Sequence, residues 1–362
     1  MAHVVLVGAG NIGSHLIAHL GRAAGVAALT LIDPDRYEPR NLAGQAIDRR
    51  DVGRPKVTVQ ARRLGRINPS LRIWALCAAV EDVPLGALRA DAIVACLDSR
   101  RARMVVNQSA WRLGVPWIDA GVDGNGGLVR IQTFVPRGDG PCLECAWDAH
   151  DYGAVEQRYA CDEAVRAVAS PTGAPSSLGA LAAALQAIEL TKLLTGDRAT
   201  ALVGRDLVVD TTHNKHFVTR FGRNRSCRMP DHEGWHIERI LAPPSAISLG
   251  DLLALADRFP DRADGLVLRV AGQRLVLTIV CRHCGAPTRV FRLERRLRRR
   301  PACCAACRRA LSPSGFELFD EAPLTEGLGP MLRAPLSTLG VVENDVVSIV
   351  SPSADRHFQI GD

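Results

Sequence analysis

No stretch of this sequence reaches the roughly 18 uncharged apolar residues that a membrane-spanning helix needs. Its most apolar segment, Leu178 to Leu194, carries Glu189 and Lys192 at helical spacing and reads as a core helix. No leader precedes the first strand pattern, so a signal peptide is not expected. Internal repeats and long low-complexity runs are also missing. What remains is a globular composition, 47% hydrophobic and 23% charged over 362 residues, enough for about two domains. Eleven cysteines would suggest secretion, but their CxxC spacing without a leader points to a reducing cytoplasm and to metal. The expected location is cytoplasmic.

The net charge of +7 is unevenly spread. Ten arginines against Glu294 give the segment from Arg282 to Arg309 a charge of +9, which leaves the rest close to neutral at −2. The basicity belongs to one segment.

The richest stretch runs from Val4 to Asp35. Val4-Val5-Leu6-Val7 has the composition of a buried strand and leads into Gly8-Ala9-Gly10-Asn11-Ile12-Gly13, a GxGxxG. A helical pattern follows at Ile12, Leu16, Ile17 and Leu20, and a second apolar run, Ala28 to Ile32, ends on Asp33. Glycines let a phosphate approach the backbone, the helix N-terminus offers unpaired N–H groups, and a carboxylate at the second strand tip can hold ribose hydroxyls. The arrangement predicts nucleotide binding.

A polar, proline-broken loop then passes Asn41 to a helix opened by Asp51-Val52-Gly53-Arg54-Pro55-Lys56 and stopped by Asn68-Pro69. Strand patterns recur at Leu71 to Ala79, Asp91 to Leu97 and Pro116 to Ala120, with a helix at Arg101 to Leu113. Strands alternating with helices imply an α/β fold, a doubly wound and mostly parallel, Rossmann-like sheet. Ligands in such sheets bind beyond the carboxyl ends of strands, so the glycines, Asp33 and Asp98 are expected at one mouth. Leu128 to Val135 reads as an alternating strand, Asp148 to Ser177 as a lid, a functional loop or a disordered stretch, and Asp206 to Asp210 as a strand with an extended piece reaching Arg223. A nucleotide-binding unit is expected over 1–237 and a smaller α+β domain over 238–362. In the latter, Ser248 to Phe259 reads as a helix, Leu266 to Val280 as a hairpin, and Val341 to Val350 as strand.

A dehydrogenase reading fails, because no histidine–arginine pairing marks a hydride site. Asp98, after an apolar run, could instead hold magnesium on a triphosphate, and Lys56 could lie against the phosphates. Those residues favour ATP over NAD.

The motifs GxGxxG, Leu-Ile-Asp-x-Asp, Asn-Leu-x-x-Gln, Asp51 to Lys56, Asn68-Pro69, Cys96-Leu97-Asp98, Pro116 to Gly121 and Pro141-Cys142-x-x-Cys145 resemble the ThiF/MoeB adenylyltransferases, kin to the ubiquitin-activating enzymes. The resemblance spans about residues 3–235. It implies an ATP·Mg²⁺-dependent enzyme, working as a homodimer, that adenylates the C-terminal glycine of a sulfur-carrier or ubiquitin-like protein ending in Gly-Gly. By resemblance Gly8, Gly10, Gly13, Asp33, Asp35, Asn41, Gln45, Lys56 and Asp98 form the nucleotide site, with Lys56 and Asp98 also catalytic. Cys161 falls where relatives carry an acyl-accepting cysteine. Where the family has arginine in Asn-Leu-x-Arg-Gln this chain has Gly44, with Arg36, Arg40 and Arg54 as candidate replacements, and the family's leading helix is not seen. Cys77 and Cys96 read as core residues.

Two zinc sites are expected. Cys142 and Cys145 are a half site; Cys227 and His232, with His236 as alternative, would complete it. Cys281-x-x-Cys284 and Cys304-x-x-Cys307 have the spacing of a structural zinc ribbon, about 278–312, with Cys303 able to replace Cys304 by a register slip. The run Arg295 to Arg300 reads as a docking patch for an acidic protein rather than for nucleic acid, since no aromatic platform except Phe291 accompanies it and base stacking is poorly supported. The alternative to the enzyme is a degenerate nucleotide fold whose basic ribbon binds a partner or nucleic acid.

Overall fold

The computed structural model describes residues 1–156, 173–229, 232–255, 265–324, 329–352 and 354–361. They fall into two compact units, 1–80 with 88–234, and 81–87 with 235–362.

The first unit is built in the order β1 (Ala2–Val7), α1 (Asn11–Leu20), β2 (Val26–Ile32), α2 (Lys56–Ile67), β3 (Arg72–Leu76), β4 (Ala92–Ala95), α3 (Arg100–Leu113), β5 (Trp117–Asp123), β6 (Leu128–Phe134), α4 (Ala149–Glu156), α5 (Ser176–Thr195), β7 (Arg205–Asp210) and β8 (Lys215–Arg220). Its eight strands lie in the order β3-β2-β1-β4-β5-β6-β7-β8. The first five run parallel, as β-branched strands joined by helices should; β6 to β8 are antiparallel, with short turns at β5–β6 and β7–β8 and with α4 and α5 between β6 and β7. Val4, Val5, Leu29, Ile93 and Ile118 are fully buried, whereas β8 is exposed along its length.

The helix α5 is long and apolar enough to cross a membrane by length and composition alone. It is instead a core helix, packed on α1, β5 and β6. Glu189, 3% exposed, accepts from the Leu202 N–H at 2.7 Å and pairs with Lys192 at 2.5 Å. Gln186, completely buried, donates to the carbonyls of Ala95 (3.0 Å) and Ile118 (3.1 Å), tying the ends of β4 and β5 together. Gln186→Leu keeps the volume but strands both carbonyls, so urea unfolding should show a loss of about 1–3 kcal/mol.

Two expectations fail in this unit. Residues 149–156 of the expected loop are helical. Cys77 is exposed, because it lies one residue beyond the edge strand β3, with Sγ 3.6 Å from the Pro34 carbonyl. Cys96 is partly buried against Gln186, and burial pushes its thiol up.

The second unit contains β9 (Ile237–Ile240), α6 (Leu249–Leu255), β10 (Val267–Val270), β11 (Leu275–Val280), β12 (Pro287–Leu293), α7 (Glu294–Arg299), β13 (Leu318–Phe319), β14 (Glu321–Pro323), α8 (Gly329–Leu332), α9 (Leu336–Leu339), β15 (Val346–Val350) and β16 (Asp355–Ile360). A five-stranded sheet orders β14-β10-β15-β16-β9, and a three-stranded one orders β12-β11-β13. The expected hairpin over Leu266 to Val280 therefore does not form: an isolated bridge, Val270 to Gln273, closes the turn after β10, and β10 and β11 join different sheets. Ser248 does cap α6, its Oγ accepting from the Asp251 N–H (3.2 Å) while Asp251 accepts from the Ser248 N–H (2.8 Å).

Part of the arginine run is structural rather than free for docking. Arg295 donates to the Gly340 carbonyl at 2.9 Å and forks onto Asp345, which is completely buried. Arg298 pairs with Glu294 at 2.7 Å. Phe291 is a core side chain, 2% exposed.

Candidate nucleotide and metal sites

Because β1 lies between β2 and β4 and all three run parallel, their carboxyl ends open on one edge. The Gly8 N–H donates to the Ile32 carbonyl and the Cys96 N–H to the Val7 carbonyl, both at 2.8 Å. Gly8, at φ +94°, has no room for a side chain: a Cβ there would fall on the Cys96 carbonyl. A Cβ at Gly13 would fall on the Gly8 carbonyl, whereas Gly10 faces open space. So two glycines close the turn and the middle one leaves the approach clear. Helix α1 begins there with no side-chain cap, leaving its first N–H groups for an anion.

Asp33, 5% exposed at the end of β2, accepts from the N–H of Ala9 (2.7 Å) and of Asp35 (2.8 Å). Burial pushes its carboxyl above the usual range, opposed by Lys56 and the two backbone donors. The segments 35–37 and 53–56 lie antiparallel: the Tyr37 N–H reaches the Arg54 carbonyl and the Lys56 N–H reaches the Asp35 carbonyl. This pairing delivers Lys56, 8% exposed, to Asp35 with Nζ at 2.9 Å. Tyr37 braces the glycine turn, its OH donating to the Ala9 carbonyl at 2.9 Å and accepting from Gln60 Nε2 at 2.6 Å. Nothing in the local pattern marks Tyr37 or Gln60, since a lone aromatic in a polar loop carries no periodicity.

Asp98 is exposed, three residues beyond β4. Behind it, Arg103 on α3 donates to the Leu97 carbonyl at 2.6 Å and to the Ala120 carbonyl at 3.3 Å. Arg103 also pairs with Asp119 on β5 at 3.2 Å, and Arg130 on β6 reaches the same carboxylate at 3.4 Å. Asp119 is 1% exposed; burial raises its pKa while both guanidinium groups lower it. The network fixes the peptide that precedes Asp98.

Asn41 accepts from the Glu38 N–H at 2.8 Å within a short 3₁₀ turn, Pro39–Ala43. Asn11 Nδ2 donates to the Ala174 carbonyl at 2.7 Å, and Gly179 lets α5 approach Asn11 where a Cβ would collide. Gln45 Oε1 is buried with no hydrogen-bond partner among the described residues, as an acceptor left for a ligand would be, whereas Asn11 Oδ1, also unpartnered, is packed against Gly179. A Cβ at Gly44 would lie 3.1 Å from the Ala174 carbonyl. Of the candidate replacement cations, Arg36 donates to the Gly53 carbonyl (2.9 Å), Arg40 pairs with Glu38 (2.6 Å), and Arg54 is exposed. Cys161 lies outside the described residues.

The Sγ atoms of Cys142, Cys145 and Cys227 and the Nε2 of His232 come within 4.8 Å of one another. Cys142 Sγ is 3.7 Å from Cys145 Sγ and 3.6 Å from Cys227 Sγ, and Cys145 Sγ is 3.3 Å from His232 Nε2. In the second unit Cys281 pairs with Cys307, and Cys284 with Cys304, each at 3.6 Å. These gaps are too long for a disulfide of about 2.05 Å. A tetrahedron with Zn–S bonds of about 2.3 Å spaces its sulfurs about 3.8 Å apart, so both donor sets fit a four-coordinate ion. Each knuckle turns through a left-handed residue, Gly285 (φ +72°) and Arg308 (φ +63°). Cys304 is buried in the donor set and Cys303 is exposed.

A family model described as the ThiF family matches residues 1–229. The Escherichia coli K12 protein named molybdopterin-synthase adenylyltransferase is 31% identical over 199 residues, 54% of this chain and 74% of its own length. The sulfur carrier protein ThiS adenylyltransferase of the same organism is 29% identical over 198 residues, 54% of this chain and 73% of its own. Ubiquitin-like modifier-activating enzyme 5 of rice is 28% identical over 222 residues, and the match spans only 51% of that protein. A crystal structure of E. coli MccB with AMPCPP and MccA superposes with a TM-score of 0.52 at 23% identity, covering 63% of this chain and 66% of that one, a likeness of fold. With more than half its residues matched by that model, the chain belongs to the ThiF family.

Proposed function

We propose that this chain is an ATP-dependent adenylyltransferase that activates the C-terminal carboxylate of a small carrier protein ending in Gly-Gly. The supporting observation is the meeting, at one sheet edge, of an uncapped helix N-terminus behind an open glycine with Asp33, Lys56 and Asp98. Relatives named for ThiS, for molybdopterin synthase and for ubiquitin-like modifiers support the substrate class.

In this reading the α1 N-terminus and Gly10 take the phosphates. Asp33, already pinned to the turn by the Ala9 N–H, keeps lone pairs for ribose hydroxyls. Lys56 neutralises developing charge from a position preset by Asp35, and Asn41 and Gln45 line the same mouth. Asp98 would hold magnesium, which when bound shields the triphosphate. The carrier carboxylate attacks the α-phosphorus and the bond to pyrophosphate breaks, so these residues contribute mainly position and charge. Cys161 is the acyl acceptor of this reading, its thiol displacing AMP from the adenylate. Zinc occupies both donor sets, the enzyme acts as a homodimer, and it works in the cytoplasm.

Asp98→Ala is expected to slow formation of the carrier adenylate about 10²–10³-fold, followed as AMP-bearing carrier by mass spectrometry. Unchanged turnover would remove Asp98 from the site.

A further inference from the structure

The three-stranded sheet that carries the cysteine knuckles leaves part of one face uncovered. Thr278 and Val280 project from β11 opposite Ile279, which is 1% exposed and belongs to the ribbon core. Their partners across the strand pair are Arg289 and Pro287, both exposed. These four side chains therefore share the open face. Val280 is 52% exposed, and its N–H donates to Glu317 Oε1 at 2.8 Å, which draws the turn Gly315–Glu317 to the strand end. Phe316, in that turn, is 97% exposed, and Phe319 on β13 is 43% exposed. The other oxygen of Glu317 is taken by Ser314, through N at 2.7 Å and Oγ at 2.9 Å. Arg282, in electrostatic contact with Glu317, follows Val280 on the same chain segment. Seven of the ten arginines between Arg282 and Arg309 are exposed.

We propose that this face binds single-stranded nucleic acid, with Phe316 and Phe319 stacking on bases and Arg282 and Arg289 neutralising phosphates. The ground for an acidic protein partner was the lack of an aromatic platform beyond Phe291, and that ring is itself buried. Two rings from outside the basic segment take the exposed positions instead. A folded protein partner interleaves both signs of charge, whereas a nucleic-acid strand offers phosphates along its whole length to a segment whose seven exposed arginines outnumber the acids beside it, Glu317 and Asp320. Exposed rings beside guanidinium groups suit unstacked bases, hence a single strand and not a duplex.

The test uses the full-length, zinc-loaded chain and a fluorescein-labelled oligothymidylate of about 20 nucleotides, longer than the ~4–16-nucleotide footprint of comparable sites. Anisotropy should report binding at low salt, with log affinity falling by about 0.7 per phosphate contact for each unit of log salt. Phe316→Ala should weaken binding about tenfold at an unchanged salt slope, and Phe316→Trp should restore it. Arg282→Ala with Arg289→Ala should flatten the slope by about 1.4. Zinc content checks that each variant keeps its ribbon. Absence of binding at about 10⁻⁴ M protein overturns the proposal. So does binding indifferent to Phe316, which would mark a mere counterion patch. Displacement by polyglutamate with the same dependence on Phe316 would assign the face to an acidic protein chain and equally overturn it.

Discussion

Cys304→Ser is expected to remove one of two zinc ions per chain and to unfold the ribbon. Cys304 is completely buried and its sulfur lies 3.6 Å from Cys284 Sγ, while its backbone N–H is held by the Arg309 carbonyl at 2.8 Å. Cys303 is exposed and bridges Ala310 through its backbone, so it cannot rotate into the vacated place without breaking the knuckle. The apolar cluster under the knuckles is small, chiefly Val276, Ile279, Val290, Leu297 and Leu311. A core of that size does not offset the conformational entropy of ordering about 30 residues. Metal binding, worth about 10–16 kcal/mol in comparable zinc peptides, would therefore supply the larger part of the local folding free energy. Metal analysis should fall from two ions to one, and limited proteolysis should open the chain between β11 and β13. Two ions retained, or a protected ribbon, would show that the four sulfurs do not form the site.

Asp119→Ala is expected to cost about 3–5 kcal/mol, read from urea unfolding, because it leaves Arg103 and Arg130 without their common carboxylate in the sheet. The loss should also reach the mouth. Arg103 would still touch the Leu97 carbonyl but would no longer be held from behind, so the peptide before Asp98 loses its fixed direction. A change below about 1 kcal/mol would mean that the pair is solvated and the network carries no such role.

The contrast between Asp33 and Asp119 shows what the sequence makes legible. The candidate nucleotide mouth is written locally: apolar run, glycines, helix pattern, apolar run and carboxylate follow one another, and each parallel strand delivers its next residue to the same edge. The metal donors are legible for a similar reason, since two thiolates three residues apart turn one way. Asp119, Arg103 and Arg130 each look like ordinary charged residues, and they become a unit only once β5, β6 and α3 are packed. Gln186 is invisible in the same way, its two acceptors lying 91 and 68 residues away. Alternation in Leu266 to Val280 reveals strands but not their partners, which is why two adjacent strands read as a hairpin and join separate sheets. Phe316 carries no pattern at all; the pairing of β13 with β11 and the clasp between Glu317 and the Val280 N–H bring it to the ribbon.

Adenylation is tested most directly by exchange of labelled pyrophosphate into ATP, with a candidate carrier protein ending in Gly-Gly, run alongside the same carrier amidated at its C-terminus. The reading predicts exchange that requires the free carboxylate and magnesium. Exchange indifferent to amidation, or none with a carrier that binds the chain, would contradict it.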